Sequence, residues 1–336
     1  MPQRSRKCLF TYEDSRRQAD NRGGGGRGPW EDSIYPVSKQ AHRRDPDTTR
    51  RETARLIEER MVDTGQVRLH VVTAGEGPAV LLLHGFPSNS QGWRHQVRPL
   101  VEAGYRVVAP DLRGFHLSEK PHGVANYESG CLVGDVVGLL NAMGVREASV
   151  VGHDWGAIVA WCVAGAFPDL VRRLVVLNGP HPRMLAHQFR SIQTLRRMWP
   201  FLVFQVPFLG ERLASCPRFI EASLRANPRL AAQTGFTDAE VEGFVNAMRK
   251  PRAGISAVNH FRAALRTPPR LTRPIRVPTL IVWGLQDRML DSEMLDAHRS
   301  VVDPLSIVRL DDAGHWPHVE SPVAVNAALV DFLRSS

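Results

Sequence analysis

The spacing of apolar and polar residues changes character along the chain. From Val67 to Val72 the two kinds mostly alternate, the period of a strand with one wet face. Gly75-Glu76-Gly77-Pro78 then reads as a turn, and Ala79 to Leu83 is solidly apolar, as a strand covered on both faces is. Further strand-like runs are Arg106 to Ala109, Ala148 to Val151 and Arg173 to Leu177. Helical periodicity runs from about Glu128 to Met143, and an apolar helix spans Ala157 to Phe167, stopped by Pro168. Strands alternating with helices predict an α/β fold, a mostly parallel doubly wound sheet.

After His181 the alternation stops until about Arg276. This stretch is helical, rich in arginine and punctuated by Pro217, Pro228, Pro251, Pro268 and Pro269. Thr237 with Glu240 forms a capping box that starts one helix. Strands resume at Thr279 to Trp283 and Ser306 to Leu310, and a last helix begins near Pro322. The pattern therefore predicts a core of residues 61–180 and 277–336, with a helical lid, 181–276, inserted between two strands. Such an insertion sits over the C-terminal strand ends, where ligands bind in open α/β sheets.

Residues 1–60 lack this periodicity and read as a disordered Arg/Gly-rich tail, partly helical at most near Thr53 to Arg60. Met61 is an alternative natural start. The tail holds 14 Lys and Arg against 10 Asp and Glu, or +4 of the chain's net +9. Gly23 to Gly26 neither follows a strand nor opens a helix, so it is no phosphate loop. The basic residues of tail and lid are not interleaved with stacking aromatics, which argues against a nucleic-acid partner. No apolar run reaches transmembrane length. Cys8, Cys131, Cys162 and Cys216 are scattered, without metal or disulfide spacing, and fit a reducing cytoplasm. No cofactor or metal is called for.

The chemistry concentrates at Val151-Gly152-His153-Asp154-Trp155-Gly156-Ala157. Strand, sharp turn and buried helix are the context of a G-x-nucleophile-x-G elbow, here with Asp154 where esterases carry serine. A lone aspartate at this position would read as a helix cap, but two further residues share the address of Asp154 after a strand, Asp287 and His315. The chain order is nucleophile, acid, histidine. Backbone N–H groups of Phe86 and Trp155 are placed for an oxyanion hole.

From about Met61 to Ser336 the chain resembles an α/β-hydrolase of the epoxide hydrolase family. The resemblance rests on His84-Gly85-Phe86-Pro87, Asp111-Leu112-Arg113-Gly114, Gly152-His153-Asp154-Trp155-Gly156, Asn178-Gly179-Pro180-His181-Pro182, Asp287 and Gly314-His315-Trp316. It implies a small apolar substrate, attack by the Asp154 carboxylate on a saturated carbon, and hydrolysis of the resulting ester by water that His315 activates. It also implies two lid tyrosines that protonate the opening epoxide. Matching Phe204-Gln205 and Asn259-His260-Phe261-Arg262 onto the family's lid motifs puts Pro200 and Phe261 in their places, neither a proton donor. His260 is the nearest possible replacement; His181 and His187 are weaker ones, and Arg262 reads as a solvated or salt-bridged lid residue. Haloalkane dehalogenases share the His-Asp-Trp-Gly turn, and the Trp155 indole suits a halide. A dehalogenase-like hydrolase, or a ligand-binding protein whose turnover has decayed, are the alternatives.

Overall fold

The computed structural model describes residues 57–184, 199–227 and 235–335. Eight strands form one sheet: β1 (Ile57–Asp63), β2 (Arg68–Ala74), β3 (Ala79–Leu83), β4 (Arg106–Pro110), β5 (Ala148–His153), β6 (Val171–Leu177), β7 (Thr279–Gly284) and β8 (Leu305–Leu310). Their order is β1-β2-β4-β3-β5-β6-β7-β8. Pairings β1 with β2 and β2 with β4 are antiparallel. From β4 to β8 every pairing is parallel.

The solid apolar strands sort their side chains between two cores by the alternation of the pleat. Leu81, Leu83, Val150, Leu174 and Val176 point to one face. It is covered by α2 (Ser129–Ala142) and α3 (Trp155–Ala166). Val80, Leu82, Val151, Val175 and Val282 point to the other. There they meet Trp93, Val97 and Leu100 around α1 (Arg94–Glu102), and Val325, Leu329 and Leu333 of the C-terminal helix Pro322–Arg334. Apolar residues on both faces are what the covered parallel sheet requires.

One expectation is corrected. Ile57 to Arg60, assigned from sequence to the tail and read as partly helical, belong to edge strand β1. Only Val62 of that strand is buried, so it has no apolar period to reveal it; its place is set by backbone pairing, Ile57 opposite Ala74 through Asp63 opposite Arg68. The rest of the expected tail lies outside the described residues.

Between β6 and β7 come α4 (Trp199–Val203), α5 (Leu209–Ala214), α6 (Pro217–Leu224), α7 (Asp238–Arg249) and α8 (Ala253–Arg266). The capping box that opens α7 is formed, with Thr237 N–H donating to Glu240 at 2.8 Å and Glu240 N–H to Thr237 at 3.3 Å. Phe204, Phe219 and Phe261 from this insertion meet Phe86, in the loop after β3, at ring separations of 5.9, 6.4 and 5.5 Å. The insertion thus lies over the C-terminal end of β3.

Candidate active site

Asp154 joins β5 to α3 with φ 50° and ψ −115°. A side chain rarely adopts this conformation, and it persists where the surroundings hold it. Glycine makes room for the turn: a Cβ on Gly85 would lie 2.5 Å from the Asp154 Cβ, and one on Gly156 would run into the Leu83 carbonyl. The strand and helix therefore close around the carboxylate with backbone on two sides.

The two oxygens of Asp154 face different partners. Oδ1 accepts from the Phe86 N–H at 2.9 Å, and the Trp155 N–H also donates to this carboxylate. Oδ2 lies 3.8 Å from His315 Nε2, beyond a hydrogen bond but well within strong charge attraction. On its other side His315 donates from Nδ1 to Asp287 Oδ2 at 2.8 Å. Asp287 is itself pinned: the Asn178 amide donates to Oδ2 at 2.7 Å, and the Met289 and Leu290 N–H groups donate to Oδ1 at 2.7 and 3.1 Å. The structure brings Asp154, Asp287, His315 and the N–H groups of Phe86 and Trp155 together.

Burial and charge oppose each other here. Burial works against the His315 imidazolium, yet Asp287 and Asp154 outweigh it and raise the pKa to about 9. Burial pushes the Asp154 carboxyl up, against the pull of His315 and the two N–H donors. For Asp287 burial loses, and the charge and hydrogen bond of His315 with the Asn178 amide hold its carboxyl below the usual range. With its pKa near 9, His315 is an imidazolium at neutral pH, and its charge pulls Asp154 toward the carboxylate form against burial.

Asn178 and His153 are the functional supports that sequence reasoning missed. Asn178 orients Asp287 and accepts from the Gly284 N–H at 2.9 Å, tying the ends of β6 and β7 together. His153 donates from Nε2 to the His315 carbonyl at 2.7 Å and packs against its ring. An asparagine just after a strand that ends beside a triad residue is the one available signal.

Over the nucleophile stands an aromatic wall. Phe261 packs on Trp155 at 4.9 Å, Phe201 at 4.9 Å and Phe204 at 4.8 Å. Tyr127, one of two tyrosines among the described residues, has its hydroxyl 2.9 Å from the Pro121 carbonyl and 2.8 Å from the Ser256 hydroxyl. His260 is no better placed as an acid: its Nε2 donates to the Arg113 carbonyl at 3.0 Å. Burial lowers its pKa to about 3, so the ring is neutral and Nδ1 carries no proton. His181 accepts from the Arg183 N–H at Nδ1 and lies buried on Trp161, and His187 lies outside the described residues. Arg262 is buried rather than solvated, donating to the Phe204 and Val206 carbonyls and pairing with Glu211 at 2.6 Å.

Residues 78–322 match the family described as the alpha/beta hydrolase fold. The chain is 33% identical over 313 residues to "Epoxide hydrolase A" of Mycobacterium tuberculosis, covering 82% of this chain and 97% of that one. It is 34% identical over 287 residues to "AB hydrolase superfamily protein YfhM" of Bacillus subtilis, covering 82% and 97%. Its structure resembles the Bacillus megaterium epoxide hydrolase crystallised with an inhibitor, with a TM-score of 0.73 at 30% identity over 82% of this chain and all of that one. The protein belongs to the α/β-hydrolase fold family. Within that family it is an epoxide hydrolase-like enzyme. No described helix is long and apolar enough to cross a membrane.

Proposed function

We propose that this enzyme opens a small apolar epoxide through a covalent ester on Asp154. The observation that carries the reading is the arrangement around that carboxylate, with Oδ1 held by the Phe86 N–H, the Trp155 N–H also donating to the group, and Oδ2 facing His315 across 3.8 Å. Oδ2 attacks an epoxide carbon, the C–O bond breaks, and an alkyl ester forms. The ester carries no charge, so the Asp154 share of the attraction that holds the His315 proton is gone, and the imidazolium gives that proton up, through water, to the alkoxide. Neutral His315 then takes a proton from water, and the hydroxide adds to the Asp154 carbonyl. The cradle of Phe86 and Trp155 N–H groups holds the oxyanion. Collapse releases the diol and restores the carboxylate, with Asp287 keeping the imidazole oriented throughout.

In-line attack leaves the departing oxygen on the side away from Asp154, toward the aromatic wall. The Trp155 indole N–H makes no hydrogen bond among the described residues and is the donor offered to it, with water supplying the proton. An indole N–H also suits a halide, which needs no proton. Phe261 in place of a phenol therefore favours a second reading, haloalkane hydrolysis through the same ester. Incubation of the wild type with aryl and alkyl epoxides and with bromoalkanes separates them. Diol formation exceeding bromide release supports the first reading, and bromide release alone replaces it with the second.

A further inference from the structure

Nine large apolar side chains are exposed among the described residues, and five of them fall within eleven positions of the lid. These are Trp199 (50%), Leu202 (61%), Val206 (48%), Phe208 (88%) and Leu209 (52%). Scattered singly they would be ordinary surface; grouped on α4, α5 and the turn between them they form a patch. Phe208 has φ 65°, a conformation large side chains rarely adopt, and its ring stands almost wholly in solvent. The same segment points its other residues inward, where Phe201 packs on Phe261 and Phe204 on Phe86. A few side chains thus separate the outer patch from the nucleophile.

Charge decides what covers this patch. Residues 181–276 carry 16 Lys and Arg against 5 Asp and Glu, a net +11. Residues 61–180 and 277–336 carry 13 against 19, a net −6. Counting its described residues alone, the insertion still carries 12 Lys and Arg against 5 Asp and Glu, so the positive charge of the described molecule gathers there. Arg212 and Arg218 come soon after the patch, are exposed, and make no ion pair among the described residues. A second copy of this chain would set two such positive lids face to face, at a cost in repulsion. An apolar protein groove would satisfy the patch and leave the arginines idle. An anionic bilayer surface satisfies both, because interfacial segments sink aromatic and aliphatic side chains to the acyl boundary while basic residues meet the headgroups.

We infer that the lid is a docking face for anionic lipid bilayers, with Trp199, Leu202, Val206, Phe208 and Leu209 entering the interface and the lid arginines holding the headgroups. Docked this way, the outer face of the lid lies in the phase in which an apolar substrate concentrates. Docking itself does not depend on which bond the enzyme breaks.

Vesicle flotation of the full chain tests it, using phosphatidylcholine vesicles with and without phosphatidylglycerol, at low and high salt. The wild type should float with the phosphatidylglycerol vesicles at low salt, at least about tenfold better than with neutral ones, and release at high salt. Phe208→Ser combined with Leu209→Ser should lower that partition about tenfold or more, with the melting temperature unchanged, because both side chains are exposed. Arg212→Glu combined with Arg218→Glu should erase the preference for anionic vesicles. No flotation at low salt, equal binding to neutral and anionic vesicles, or full binding by the Phe208/Leu209 variant would overturn the inference. So would retention of a single-stranded RNA probe by a chain that ignores vesicles, since the positive charge would then serve a nucleic acid.

Discussion

His315 Nε2 stands 3.8 Å from Asp154 Oδ2, close enough to share charge and too far to share a proton. That gap keeps the nucleophile ionised without occupying its lone pair. It also leaves Nε2, buried and without a hydrogen-bond partner, facing the position from which water must attack the ester. The His315 ring holds this place because Asp287 grips its far side and the His153 imidazole bonds its backbone carbonyl.

Asn178 sustains that arrangement through Asp287. Asn178→Ala removes one donor from Oδ2 and leaves the Gly284 N–H without its acceptor. The expected cost is about 1–3 kcal/mol of stability, from one unsatisfied buried group. Turnover should fall through kcat more than KM, because a misplaced imidazole affects ester hydrolysis and not substrate binding. Thermal unfolding and steady-state kinetics check both, and an unchanged kcat would show that Asp287 needs no such support.

Phe261→Tyr adds a phenol to the wall over Asp154, between Trp155, Phe201 and Phe204. Positioned acids and hydrogen-bond donors contribute about 10² to 10⁴ in rate, so epoxide turnover should rise at least about tenfold. Bromide release should not rise in parallel, since a phenol helps an alkoxide leave far more than a halide. Comparison of kcat/KM for styrene oxide and a bromoalkane reads this out; equal changes in both would mean the phenol does not reach the leaving group.

Most of the sheet was legible because solid apolar runs bounded by glycine and proline leave few alternatives, as in Ala79–Leu83. Asp154, Asp287 and His315 were legible because each stands just beyond a strand. Three things were not. Edge strand β1 buries one side chain and is held by pairing, which leaves no trace in periodicity. His260 reads the same in sequence whether it faces a substrate or donates to a backbone carbonyl 147 residues away. For Arg262 the choice between a solvated and a salt-bridged side chain was not legible; helix packing makes it for the second, bringing Phe204, Val206 and Glu211 around the guanidinium.

The edge strand changes the expected outcome of a truncation. On sequence alone a chain beginning at Met61 should keep its melting temperature. In the structure it loses Ile57 to Arg60, and with them Glu59, whose carboxylate accepts from His70 Nε2 at 3.1 Å. Burial disfavours the charged form of His70, but Asp111 and Glu59 prevail and raise its pKa to about 9. A raised folded-state pKa stabilises fully below the ordinary histidine value, and the contribution is lost as pH climbs through about 9. The truncated chain should therefore melt several degrees lower at pH 6, with the gap narrowing toward pH 10. Equal melting temperatures at pH 6 would show that β1 adds nothing.

The central claim is that Asp154 becomes alkylated and that His315 is needed only to release the product. His315→Gln keeps a polar side chain of similar reach beside Asp287 while removing the base. After incubation of this variant with styrene oxide, intact-protein and peptide mass spectra should show the whole mass of the epoxide added, on the peptide that carries Asp154, with no diol in solution. An adduct on another residue, or none with any epoxide or bromoalkane that the wild type turns over, would contradict the assignment.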